Sequence, residues 1–181
     1  MTAVALRSAL TAAGLPEGAF RLAGGDPPAI AGTWLADGRV RKLSFTGSTE
    51  VGRLLARAAA DQLVRCSLEL GGHAAFIVLP GAELDAAVQG AVAAKFRNAG
   101  QTCICPNRFL VHRSLASAFA ARLALEASNL VVGPGIEPAT RIGPLISDAA
   151  VDKVRRHVAD AVARGARLVC GGETRPLPNR P

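Results

Sequence analysis

The sequence predicts an α/β fold, because segments with strand character alternate with segments that have the apolar period of amphipathic helices. The clearest case runs from Val40 to Gly72. VRKLSFTG reads as a strand, STEVGRLLARAAADQL as a helix with an apolar stripe, and VRCSLEL as a second strand that stops at two glycines. A strand, a helix and a strand in this order are typical of a largely parallel sheet.

Further helices and strands are predicted on both sides of this segment. The helices are expected at Ala3–Ala13, after Pro27, and at Glu83–Lys95, Ser114–Ser128 and Asp148–Arg164, and the strands in AAFIVLP, RFLVH and ARLVCGG. VVGPGIEPATRIGPLIS is a Gly/Pro loop. The tail ETRPLPNRP, residues 173–181, has no apolar periodicity and is predicted to be unstructured.

Composition limits the class of protein. Half of the residues are apolar and 19% are charged, which excludes a disordered or fibrous chain. No apolar run approaches the roughly 20 residues of a membrane helix, and MTAVALRSALTAAG lacks the basic-then-apolar order of a signal peptide. We therefore expect a cytoplasmic protein without a membrane partner, whose four cysteines are free, catalytic or metal-bound rather than paired.

The net charge of +7 raises the alternative of a nucleic-acid-binding module. The arginines are scattered among alanines, however, and the chain has no tyrosine and one tryptophan for base stacking. This distribution favours genome composition over a binding surface as the origin of the charge, and we expect no nucleic-acid partner.

The segment SFTGSTEVG places Gly47 and Ser48 between a strand and a helix. Free backbone N–H groups at the positive end of a helix suit a phosphate, and glycine permits close approach of a ligand. An ordinary helix, capped by Ser48 or Thr49, is the competing interpretation. The segment is not the GxGxxG fingerprint of dinucleotide-binding folds.

The segment LELGG places Glu69 at the end of a strand that we expect to be buried. Desolvation of that carboxylate would strengthen its affinity for a proton, as a general base acting near neutral pH requires. A solvated loop glutamate is the alternative.

The segment KFRNAGQTCICPNR places Cys103 and Cys105 two residues apart. A nucleophilic cysteine must be exposed and rigidly held, as a Gly-Gln-Thr-Cys turn after a helix allows. A zinc site is not expected, because no second ligand pair has metal spacing and the histidines His73, His112 and His157 occur singly. Cys66 and Cys170 lie in apolar segments and are expected to pack in the core.

Taken in order, FTGSTEVG, LELGG and FRNAGQTC resemble the aldehyde dehydrogenase superfamily, and KFRNAGQTCICPNRFLVH is most similar to its succinate-semialdehyde dehydrogenase branch. The resemblance implies part of a Rossmann-like cofactor-binding domain, residues 1–70, followed by the first part of an α/β catalytic domain, residues 71–172. It also implies NAD(P)-dependent oxidation of an aldehyde, with succinate semialdehyde converted to succinate.

By the same resemblance, Cys103 attacks the aldehyde carbon, and Glu69 activates the water that hydrolyses the thioester. The implied substrate-binding residue is Arg97, whose guanidinium suits the carboxylate of a semialdehyde. Cys105 is implied as a redox partner that links reversibly to Cys103. The implied NAD or NADP site comprises Gly47, Ser48, Thr49, Glu50, Val51, Gly52, Leu70 and Gly71.

The resemblance covers only a middle section of the family's chain. Segments that supply an oxyanion-hole asparagine, ribose contacts and an oligomerisation arm have no counterpart in these residues. We therefore expect the isolated chain to be unstable or inactive, whereas full-length members of the family are expected to be homo-oligomers. An inactive fragment of such an enzyme is the alternative function.

Overall fold

The computed structural model describes residues 2–175 and confirms the α/β fold class. Within that range, helices and strands alternate along much of the chain, as the sequence predicts. In chain order they are α1 (Thr2–Ala12), α2 (Pro27–Ala36), β1 (Lys42–Gly47), α3 (Thr49–Ala60), β2 (Arg65–Leu70), β3 (Ala74–Val78), α4 (Leu84–Phe96), β4 (Pro106–Val111), α5 (Arg113–Ser128) and α6 (Asp148–Ala163).

The chain divides into two compact units, with the boundary between Leu70 and Gly71. Strands β1 and β2 form a parallel pair in the first unit, and β3 and β4 form a parallel pair in the second. The parallel direction agrees with the prediction, but the described strands form two separate two-stranded sheets. The identification of the units as cofactor-binding and catalytic domains stays a prediction.

The core of the first unit lies between α3 and one face of the β1–β2 pair. Alternate residues point to this face, so that Phe45 of β1 stands beside Leu68 of β2. The buried side chains are Leu35, Ala59 and Val64. The other face of the pair carries exposed polar side chains: Lys42, Ser44, Thr46, Arg65, Ser67 and Glu69.

The core of the second unit packs α4 and α5 on one face of the β3–β4 pair. Its buried members are Val78, Val88, Ala91 and Phe119. The Phe109 ring lies between two others, with centroids 5.5 Å from that of Phe76 and 6.1 Å from that of Phe119. These rings join the sheet to α5, and their spacing suits tilted aromatic packing.

Helix α4 begins with a carboxylate cap that makes its stability depend on pH. Glu83 accepts hydrogen bonds from the backbone N–H of Ala86 (2.6 Å) and of Asp85 (3.0 Å). These two bonds, that from Ala86 first, lower the pKa of Glu83. Because the folded pKa is depressed, the cap contributes stability above the unfolded pKa and loses that contribution as pH falls through the folded value.

We therefore expect the urea midpoint of the second unit to fall on acidification more steeply in the wild type than in Glu83→Gln. Ser147, which caps α6 through the N–H of Ala150, has no titrating group and offers the matched control Ser147→Ala. Circular dichroism across the acid range measures both. If the urea midpoints of wild type and Glu83→Gln depend on pH identically, the Glu83 cap is not a source of the pH dependence of stability.

Two predictions about packing are wrong. The segment from Ala166 to Gly172 is irregular in the described structure, because it has no neighbouring strand to pair with, and Leu168 and Val169 are half-exposed. Cys66 and Cys170 are exposed rather than buried. An apolar sequence context does not by itself supply the partner elements that burial requires. In the predicted tail, residues 176–181 lie outside the described residues.

None of the helices in residues 2–175 is long and apolar enough to cross a membrane.

Candidate functional site

The start of α3 presents a capped turn after β1. Ser48 is the N-cap, and its Oγ accepts a hydrogen bond from the N–H of Val51 (3.2 Å), while its carbonyl accepts one from Gly52 (2.9 Å). The first-turn N–H groups of Thr49 and Glu50 have no acceptor within the helix. The helix start therefore retains donors and a positive dipole end that suit an anionic group.

The glycines around this turn have packing roles that the sequence did not reveal. A Cβ on Gly47 would collide with the Phe45 ring, and one on Gly52 would lie 2.6 Å from Cδ2 of Leu70. Gly52 thus lets α3 lie close to β2 at Leu70, and a side chain at position 52 would have to displace the end of the Leu70 side chain. Contacts of Leu70 and Gly71 with a cofactor stay predictions.

Glu69 is exposed, so the expectation of a desolvated carboxylate at this position is wrong for the described structure. The physical reason is the one-sided sheet. Leu68 and Leu70 point towards α3, whereas Glu69 lies between them on the opposite, polar face. Its role as general base stays a prediction.

The segment before Cys103 contains a short left-handed turn. Helix α4 ends at Phe96, and the backbone then passes through Asn98 (φ 50°), Ala99 (φ 55°) and Gly100 (φ 76°). Left-handed conformation costs a non-glycine residue about 1–2 kcal/mol. Asn98 offsets part of this cost by donating from Nδ2 to the carbonyl of Gln101 (3.3 Å). This strain next to the predicted nucleophile is consistent with a loop held in one conformation.

The structure separates the two neighbouring thiols. Cys103 is exposed, whereas Cys105 is 1% exposed. The N–H of Cys105 donates to the carbonyl of Thr102 (3.1 Å), which closes a turn with Cys103 at its corner. Both thiols are free. A link between them would require Cys105 to leave its buried position, and its redox role stays a prediction.

Lys95 holds this loop to the next strand, and sequence reasoning missed it. Its Nζ donates to Oδ1 of Asn107 (2.7 Å) and lies 3.5 Å from Sγ of Cys105. The available signal was the lysine at the last turn of α4, within the same motif as both cysteines.

The Oγ1 of Thr102 is buried without a hydrogen-bond partner among the described residues, which costs about 1–3 kcal/mol.

Arg97 is exposed and lines a shallow, open depression of about 410 Å³ on the surface of the second unit. The depression is lined by Val92, Ala93, Phe96, Arg97, Leu130, Arg141 and Ile142. A guanidinium beside apolar walls suits a carboxylate on a short aliphatic chain. The binding role of Arg97 stays a prediction.

No group of three or more His, Cys, Asp or Glu side chains within the described part of the chain could hold a metal ion.

Comparisons with known proteins agree with these motifs. The chain is 48% identical to the succinate-semialdehyde dehydrogenase [NADP(+)] GabD of Escherichia coli strain K12, over 95% of this chain and 36% of GabD. It is 45% identical to a 3-sulfolactaldehyde dehydrogenase of Pseudomonas putida, over 98% of this chain and 36% of the relative.

A solved succinate-semialdehyde dehydrogenase from Burkholderia pseudomallei is 50% identical, with a TM-score of 0.89 over 95% of this chain and 36% of that structure. The chain thus spans about a third of the length of the relatives that it matches. The sequence profile described as "Aldehyde dehydrogenase family" matches residues 1–180. The chain therefore belongs to the aldehyde dehydrogenase family.

Proposed function

We propose that this chain carries the nucleophile and part of the cofactor site of an enzyme that oxidises an aldehyde bearing an anionic group, with succinate semialdehyde as the substrate and succinate as the product. The observation that supports this most strongly is the similarity to succinate-semialdehyde and 3-sulfolactaldehyde dehydrogenases across nearly the whole chain. By their names, both relatives act on an aldehyde that also carries an acidic group.

Cys103 is the proposed nucleophile. Its thiolate forms a C–S bond with the aldehyde carbon, and the carbonyl electron pair moves to oxygen, where the backbone N–H of Cys103 is a hydrogen-bond donor. The exposure of this thiol supports the assignment, whereas Cys105 is buried and lies against Lys95. Among the two cysteines of the motif, only Cys103 is open to a substrate.

Glu69 is the proposed general base for the second half of the reaction. It removes a proton from water, the water oxygen bonds to the thioester carbon, and the C–S bond breaks to release Cys103 as a thiolate. The exposed position of its carboxylate supports access to water.

The cofactor residues fit an anionic ligand. The start of α3, from Gly47 to Gly52, retains the unbonded N–H groups of Thr49 and Glu50 and the hydroxyl of Ser48, all suited to a pyrophosphate. Leu70 and Gly71 complete the proposed site, and Gly71 has open space around its Cα. NAD or NADP bound by these residues would accept the hydride from the substrate carbon.

Arg97 is the proposed carboxylate-binding residue, which a pair of affinity labels tests without requiring turnover. A bromomethyl ketone with a carboxylate should alkylate Cys103 faster than its uncharged analogue. Arg97→Gln should reduce this ratio of alkylation rates about tenfold, which corresponds to losing an interaction of roughly 1.4 kcal/mol. Peptide mass spectrometry measures both rates.

Arg156→Gln, which removes an exposed guanidinium from α6 in the same unit, is the matched control and should leave the preference unchanged. In parallel, the formation of reduced nicotinamide from succinate semialdehyde tests the oxidation itself. If wild type and Arg97→Gln prefer the carboxylate-bearing label equally, Arg97 is not the carboxylate-binding residue. Oxidation of uncharged aldehydes at the same rate as succinate semialdehyde would exclude the proposed substrate class.

A further inference from the structure

Gly72 lies against the backbone of Cys103. A Cβ added at Gly72 would overlap the carbonyl oxygen of Cys103. This oxygen belongs to the backbone, so it cannot move away by a change of side-chain rotamer. The backbone conformation of Gly72 is not left-handed, so conformational freedom is not the reason for glycine here. The reason is the absent side chain, which lets the two backbones touch.

The strand pairing explains why this contact occurs. Strands β3 and β4 are parallel, so the segments that enter them lie side by side, and Ala74 pairs with Pro106 at the start of the sheet. Gly72 lies two residues before β3, and Cys103 lies three residues before β4. The register of the pair shifts between Ala74 and Ala75, next to this edge.

Hydrogen bonds to neighbouring residues hold both backbone segments that meet at this contact. Arg108 of β4 donates from Nη2 to the carbonyl of His73 (2.9 Å), which holds the Gly72 side. Lys95 holds Asn107 (2.7 Å), and the Thr102–Cys105 turn fixes the Cys103 side. With both segments held, neither can withdraw to make room for a side chain at position 72.

We propose that Gly72 is a positioning residue for Cys103: its bare Cα sets the position of the Cys103 carbonyl, and with it the orientation of the exposed thiol and of the adjoining backbone N–H. The inference deepens the proposed function, because it bears on catalysis through the role of Cys103 as nucleophile. Gly72 itself does not touch the substrate.

The test compares thiol alkylation in Gly72→Ala, Gly72→Ser and Gly135→Ala in the full chain without cofactor. Limiting iodoacetamide and peptide mass spectrometry give separate rates for Cys103, for the exposed Cys66 and for the buried Cys105. Gly135 is the matched control in the same unit, because a Cβ there meets no atom within 4 Å and its backbone is likewise not left-handed. The reagent requires neither an aldehyde nor an oxyanion, so its result is independent of the proposed reaction.

We expect both Gly72 variants to slow alkylation of Cys103 by clearly more than the control variant does, because the displaced backbone no longer presents the thiol in its exposed orientation. Alanine and serine should act equally, because the first side-chain atom already collides. Cys66 should keep its rate, Cys105 should stay protected, and exchange of the Cys105 amide hydrogen should accelerate as the turn opens. Gly135→Ala should leave the Cys103 rate within about a factor of two.

Two results would overturn the proposal. One is an unchanged Cys103 rate in the Gly72 variants while Cys105 remains protected. The other is alkylation of Cys105 as fast as that of Cys66, which would show that Gly72 supports the whole unit rather than the nucleophile loop. Failure of the proposed function has a different signature, namely a wild-type chain whose Cys103 forms no adduct with an aldehyde.

Discussion

In the proposed aldehyde-oxidising enzyme of which this chain forms a part, replacing Cys103 with serine is expected to reduce aldehyde oxidation, and the aldehyde-dependent acylation of this position, by at least about a thousandfold. A serine hydroxyl is not ionised near neutral pH and has no base beside it in the described loop, whereas a thiol supplies a reactive thiolate fraction. The buried Cys105 cannot substitute, because it is 1% exposed and faces Lys95.

The matched control is Cys66→Ser, which removes an exposed thiol from the first unit. It should leave acylation and oxidation unchanged. The measurement is incubation with succinate semialdehyde and NAD(P), an acid quench, and peptide mass mapping of the acyl group, together with the rate of reduced nicotinamide formation. An acyl group on another residue, or equal loss in Cys66→Ser, would remove Cys103 from the mechanism.

Truncating Phe119 to alanine is expected to lower the free energy of unfolding of the second unit by about 3–5 kcal/mol, the usual cost of a large cavity in a core. Phe119 is 3% exposed and packs through Phe109 onto the sheet. Its loss removes contacts between α5 and both α4 and β4, and the remaining side chains of the small core cannot collapse into the space. A loss of this size is a large fraction of the stability of a typical domain.

Leu125→Ala provides the matched control on the same helix, because Leu125 is 55% exposed. We expect it to cost less than about 1 kcal/mol, since most of its side chain is already in water. Urea unfolding followed by circular dichroism measures both variants, and alkylation of Cys105 reports opening of the unit independently. Equal destabilisation by the two variants would contradict the assignment of Phe119 to the core.

Local features were predictable because they depend on neighbouring residues alone. A hydroxyl before an apolar helical period predicts a cap for α3 at Ser48 or Thr49, and the structure assigns the cap to Ser48. The same holds for the helix ahead of Cys103 and for the strand ending in Leu70. The three motifs in their order were sufficient to predict the family, because each motif is recognised from a few consecutive residues.

Burial was not predictable, because it depends on what covers a residue. Cys66 lies in an apolar strand segment and Glu69 at the end of the same strand, yet both are exposed in a two-stranded sheet with a helix on one face. The predicted strand at Ala166–Gly172 fails for the same reason, since a strand exists only beside a partner.

The sequence by itself determined the α/β class, a capped helix start at Ser48 or Thr49, the family and the identity of the candidate residues Cys103, Glu69 and Arg97, because these are properties of residue type and spacing. Only the tertiary structure decided which thiol is exposed and that Gly72 meets the Cys103 carbonyl. Those facts arise when parallel strands bring together segments about 30 residues apart in the chain, a distance over which local pattern carries no information.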